Sequence, residues 1–291
     1  MSNISSKPTS LADWQLVKVT GEDNRTFLQG QITNDINRLS EQSTLYAAHC
    51  DNKGRMWTTL LLFQRGNDIY YIERKSVVKK QVAELARYAV FSKVTIEPVE
   101  DLNMVGLVGD AIPSEIAEKL NDKNCFTENN ITYIKLPLPQ MRVIMVTPDP
   151  ISEDLHPCSD WLKLDLQAGY PIIDNDNMAI LLPQACNLQS YDAISFEKGC
   201  YCGQEMVARA QFRGANTRGM YVIKGTSDVL PKIGSTLEYK LAGGWREGGL
   251  VLAVAKLDEK DGVCVQVVLN NGIDLNTPFR VYGNDNSRMT F

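Results

Sequence analysis

Apolar and polar positions alternate in short runs over the last part of the chain: "GMYVIKG", "STLEYKLAGG", "GGLVLAVAKL", "GVCVQVVL" and "PFRVYG". Gly and Asn turns separate them at roughly ten-residue spacing, the pattern of a small antiparallel barrel or sandwich. Glycine marks where this region begins, with 9 in residues 1–212 and 11 in the 79 residues that follow. A boundary near Arg213 is expected, with the barrel over 213–291. The first 212 residues mix two periods. Strand-like runs ("WQLVKVTG", "WTTLLLF", "DIYYIE", "WLKLDLQ") are interleaved with helical ones ("DNRTFLQGQITNDINRL", "SVVKKQVAELARYA") without a regular βαβ repeat, which predicts an α+β arrangement. Pro137, Pro139, Pro148, Pro150 and Pro157 punctuate the middle, and a crossing between two lobes is expected near 137–157.

At 291 residues the chain is long enough for two or three domains. No stretch approaches the roughly 18 uninterrupted apolar residues of a membrane span, and "MSNISSKPTSLADW" lacks a basic segment followed by an apolar run. A cytoplasmic location without membrane contact is expected. Seven scattered cysteines, an odd number, read as free thiols in a reducing compartment. A net charge of -5 argues against a broad nucleic-acid surface, since phosphate neutralisation needs clustered Lys and Arg, so any RNA connection should be local or indirect. Nothing calls for an obligate oligomer, and a monomer is expected. There is no G-x-S-x-G elbow, Walker loop or dinucleotide fingerprint, and two histidines leave little scope for His-based acid–base chemistry.

The densest chemistry lies in "FEKGCYCGQEMVARAQFRG", residues 196–214. Gly199 and Gly203 bracket "CYC" and permit a tight turn and close backbone approach. Good helix formers follow from Gln204, which puts Cys200 just before a helix N-terminus, where unpaired N–H groups and the Lys198 charge favour a thiolate. The alternative is an ordinary buried thiol in a turn. A metal site is not expected, because C-x-C with only His49 and His156 elsewhere lacks an obvious second half. Glu205, Arg209 and Arg213 fall at i, i+4, i+8 on one helix face, and residues 198–224 hold five basic residues against one acidic. Such a cluster suits a carboxylate or phosphate; it is otherwise a solvated face with internal ion pairs. Trp14 and Trp161 each open an alternating run, and either stack on a flat ligand or belong to the core. The amides of "FLQGQITND" and "PQACNL" either read a polar heterocycle edge or cap turns.

Taken in order, "FLQGQITND", "CDNKGRMWT", "LQAGYPIID", "PQACNLQ" and "ISFEKGCYCGQEMVARAQFRGANTR" resemble the YgfZ family, folate-binding and tRNA-modification-associated relatives of the glycine-cleavage T-protein. The resemblance runs from about Trp14 to at least Arg218 and is most specific at Lys198–Arg209. It implies a three-lobed, cloverleaf-like fold of two α+β lobes and a C-terminal antiparallel β-barrel around a reduced folate such as tetrahydrofolate. It implies folate contacts at Trp14 and Trp161, a basic group such as Arg209 or Arg213 for the glutamate tail, and a reactive thiol at Cys200 with Lys198. The implied role is support of iron–sulfur enzymes, such as tRNA methylthiotransferases, and through them tRNA thiomethylation; a folate-dependent one-carbon transferase or demethylase is the alternative. Two departures bear on this. Lys79 and Lys80 stand where the T-protein has its catalytic aspartate, which speaks against aminomethyl transfer, and Cys202 replaces the usual Thr of the motif, where it is placed to share or quench the reactivity of Cys200.

Overall fold

The structure, a computed structural model, describes residues 7–214 and 216–291. The first six residues of the N-terminal stretch and Ala215 of the signature block lie outside them. Two five-stranded antiparallel sheets and a closed six-stranded barrel make up the fold. The first sheet runs Thr44–Cys50, Met56–Arg65, Asp68–Arg74, Trp14–Thr20, Thr95–Pro98. The second runs Thr9–Ser10, Asn103–Val108, Arg142–Thr147, Ile131–Leu136, Cys125–Glu128.

Layering explains why "TTLLLF" is a nearly unbroken apolar run. Successive side chains of Met56–Arg65 point to opposite faces, and both faces are covered. Leu60 and Leu62 pack with helices α1 (Asn24–Gln29) and α2 (Val78–Ala86), whereas Leu61 and Phe63 meet Ile134, Leu136 and Ile144 of the second sheet. The two sheets thus face each other, and the far side of the second is covered by α3 (Ser114–Lys119) through Ile116.

The run "WLKLDLQ", read as a strand, is instead helix α4, Cys158–Ala168. Leu162, Leu164 and Leu166 alternate with polar residues, but the residues actually buried include Trp161, Asp165 and Ala168, spaced as one helical stripe. Pro157 opens the helix and Gly169 ends it in the left-handed region at φ 72°. Trp161 therefore projects from a helix, while Trp14 does begin a strand. The helical reading of residues 23–39 holds only for α1 and one short turn at Ile36–Arg38. The Pro-rich passage is not a single crossing: Pro137 and Pro139 lie in the turn between two strands of the second sheet, and the chain leaves that sheet only after Thr147.

Strands Arg218–Thr226, Gly262–Asn270, Gly244–Lys256, Thr236–Leu241, Phe279–Val281 and Arg288–Thr290 close the barrel around Ile223, Val265, Val267 and Phe279. Leu166 and Ile172 pack on its Ala253 and Cys264, which fixes α4 between barrel and sheets.

Candidate functional site

Trp14 and Trp161 line one cavity between the two sheets. Each ring is backed by an arginine that an aspartate holds in place. Trp14 pairs across the strands with Arg74, whose guanidinium lies 4.5 Å from the ring centre. Arg74 Nε is 3.1 Å from Asp174, and Nη2 is 3.7 Å from Asp13. On the opposite wall, Arg142 lies 4.5 Å from the Trp161 ring, donates from Nε to the Leu138 carbonyl at 3.0 Å, and makes a 2.8 Å ion pair with Asp165. Stacked guanidinium and indole gain more when desolvated, and Arg142 is fully buried. Gly106 lets the Trp161 ring lie flat on the sheet, since a Cβ there would overlap its six-membered ring.

The lining is chemically suited to a flat heterocycle: two indoles, Tyr46, Tyr170 and the Asp165 carboxyl. Burial holds the Asp165 carboxyl above its ordinary range despite the pull of Arg142, and pushes the Tyr170 hydroxyl up to about 12. Glu73, which also lines the cavity, is buried, and that burial holds its carboxyl well above the carboxylate range. Strand alternation turns that side chain away from Arg74, toward Thr58. The cavity has about 50 Å³ of room, whereas small-molecule sites run to roughly 300 Å³ or more. A bicyclic ring needs more room than that, and the part-exposed residues of the lining are Trp14, Tyr46 and Arg74.

The cysteine loop is built differently. Gly203 adopts φ 82° and precedes α5, Gln204–Phe212; a Cβ there would overlap the Asp51 carbonyl oxygen and lie 2.7 Å from Gly54 Cα. "CDNKGR" and "KGCYCGQE", far apart in the chain, therefore interlock backbone to backbone. Gly199, by contrast, has open space around it. The Lys198 ammonium turns inward, donating to the carbonyls of Ile32 at 2.9 Å and Asn34 at 2.8 Å, and burial lowers its pKa to about 8. Cys202 N–H donates to the Gly30 carbonyl at 3.0 Å, and its Sγ lies 3.8 Å from the Tyr88 hydroxyl. Tyr201 is buried between the two cysteines, while Cys200 is exposed. The loop is anchored at Lys198, Tyr201 and Cys202, and the Cys200 side chain faces solvent.

Arg209 on α5 and Arg213 just after it are both exposed, and neither is among the residues lining the tryptophan cavity. Beside the start of α5, Lys53, Arg55 and Arg218 border an open groove of about 500 Å³ with Glu205. Lys79 and Lys80 are exposed; Lys80 pairs with Glu84 at 2.7 Å and lies 5.5 Å from the Trp57 ring centre. The amide-rich segments act as ties: Asn34 donates to the Tyr46 and Asp192 carbonyls, Gln184 to Val207 and Asn187 to Met220. Among the described residues, no three of His, Cys, Asp and Glu gather as a metal ion needs. Arg74, Arg142 and Asp165 escaped the sequence reading, because nothing in the local sequence sets these charged residues apart.

Known proteins share both the sequence and the architecture. The tRNA-modifying protein YgfZ of Escherichia coli O45:K1 (strain S88 / ExPEC) is 41% identical over 293 residues, 96% of this chain and 90% of its own length. The chain belongs to the YgfZ family. The YgfZ of Escherichia fergusonii is also 41% identical, over 94% of this chain and 88% of its own. Residues 216–285 match the family description "YgfZ, beta-barrel domain", within the closed barrel. The fold is that of the glycine cleavage system aminomethyltransferase T from Bartonella henselae, with a TM-score of 0.71 at 14% identity, over 97% of this chain and 84% of that one. YgfZ-family membership therefore rests on sequence along nearly the whole chain, and the T-protein likeness on fold alone.

Proposed function

We propose that this YgfZ homologue is a folate-binding accessory protein that supports iron–sulfur enzymes and, through them, tRNA thiomethylation. The observation that carries the reading is the meeting of Trp14, from the first sheet, and Trp161, from helix α4, on one cavity whose lining suits a pterin. Trp14 and Trp161 hold the ring of a reduced folate such as tetrahydrofolate, and Asp165 offers it a hydrogen-bonding carboxyl. Cys200, the exposed thiol of the locked loop, acts on the client side during cluster assembly or repair. The partners are iron–sulfur proteins such as tRNA methylthiotransferases, with no direct contact to nucleic acid, and the protein works as a cytoplasmic monomer. Aminomethyl transfer is not part of the reading, because the exposed Lys79 and Lys80 supply no carboxylate at that position.

Complementation of a null strain tests the thiol. Cys200→Ala is expected to abolish thiomethylated tRNA, quantified by mass spectrometry of digested tRNA, while tetrahydrofolate affinity stays within about twofold; restored thiomethylation would remove Cys200 from the mechanism. Trp14→Ala tests the ring-binding wall, with an expected loss of roughly 1–3 kcal/mol in folate binding, the scale of base stacking on an aromatic side chain. Unchanged affinity would leave Trp14 a structural residue.

A further inference from the structure

Arg74 is the cavity-lining arginine; Asp174 holds it through a 3.1 Å hydrogen bond at Nε, and Asp13 lies 3.7 Å from Nη2. Its remaining nitrogen, Nη1, is buried and has no hydrogen-bond acceptor among the described residues. A buried donor without a partner costs about 1–3 kcal/mol, more when charged, so proteins rarely leave one at a lined cavity without a use. Arg142 also has an unpartnered Nη1, but it is sealed behind Trp161 and is not among the lining residues. Arg209, on α5, and Arg213, just after it, are outside the lining. Arg74 therefore combines position, rigidity and an open donor.

We propose that Arg74 is the cation that receives the ligand, giving the Nη1 N–H to an oxygen of the bound folate; this rests on the folate reading above. The acceptor is an oxygen with free lone pairs, either the ring carbonyl of the pterin or a carboxylate of the glutamate tail. A guanidinium suits it better than an ammonium, because its planar fork is oriented by the Nε bond to Asp174 and Nη1 keeps a fixed direction relative to it. Stacking on Trp14 keeps the indole and the donor side by side at the cavity.

The test is calorimetric titration of two probes, tetrahydrofolate and a tetrahydropterin without the tail, into wild type, Arg74→Gln, Arg74→Lys and Arg209→Gln. Arg74→Gln is expected to lose about 10- to 100-fold in tetrahydrofolate affinity, the range for a hydrogen bond to a charged group. Arg74→Lys, which keeps charge without the fork, loses less and serves as the readout if the Gln variant does not fold. Equal loss for both probes assigns the acceptor to the ring; loss for tetrahydrofolate alone assigns it to the tail carboxylate. Wild-type affinity in both Arg74 variants would overturn the inference and leave the folate reading standing, as would a loss confined to Arg209→Gln. No binding of either probe by the wild type would remove the folate reading, and the inference with it.

Discussion

The tryptophan cavity and the cysteine loop solve opposite problems. In the cavity the side chains proposed to meet the ligand are buried or half-buried, and the fold holds them through other side chains: Arg142 on Trp161, Arg74 on Trp14, with Asp165 and Asp174 behind. In the loop the thiol proposed to react, Cys200, is exposed and the fold holds its backbone, through Lys198 on two carbonyls, Cys202 N–H on Gly30 and Gly203 wedged against Asp51. A binding site needs walls; a reactive group that meets another protein needs a rigid stem and an open tip. The two should therefore fail differently when mutated, the cavity through loss of stability and the loop through loss of activity.

The largest effect is expected at the buried pair. Arg142→Met leaves the Asp165 charge without its partner, and urea unfolding should show a loss of about 3–5 kcal/mol. Next comes His49, which lies in the first sheet beside the segment that Lys198 grips; Ile32 bridges it, and Nδ1 meets Gln81 at 3.1 Å. Burial lowers its pKa from 6.5 to about 4. Between those values the unfolded chain binds a proton that the folded chain does not, so stability present above pH 6.5 is lost as pH falls toward 4, by about 3 kcal/mol. His49→Gln should flatten that slope in unfolding curves taken across the range. Within the loop, Gly203→Ala should cost about 1–3 kcal/mol for the strained backbone conformation, whereas Gly199→Ala should stay within about 0.5 kcal/mol. A similar cost at both glycines would show that the loop is not held at Gly203. The smallest stability effect is predicted for Cys200→Ala, within about 0.5 kcal/mol for an exposed side chain. In the native wild type, alkylation followed by mass spectrometry should label Cys200 well ahead of the buried Cys50, Cys125, Cys186 and Cys264.

Local features were legible and distant ones were not. Helix α5 begins at Gln204, as its run of helix formers implies, and the barrel strands follow their alternating pattern because their turns carry Gly and Asn. Helix α4 was misread because Asp165, a buried polar residue held by Arg142, interrupts the apolar helical stripe and leaves the Leu alternation as the stronger signal. The tryptophans were singled out, but the arginines that hold them were not: Arg74 meets Trp14 through a strand pairing, and Arg142 meets Trp161 through the facing of strand and helix. Lys198 was read as a charge for the thiol, and its amine instead anchors the loop to residues 32 and 34.

The most direct test of a separable pocket and thiol is titration of tetrahydrofolate into the wild type and a Cys200→Ser variant, followed by tryptophan fluorescence. Saturable quenching with the same dissociation constant in both is the predicted result. Loss of quenching in the Cys200→Ser protein, or none in either, would contradict it.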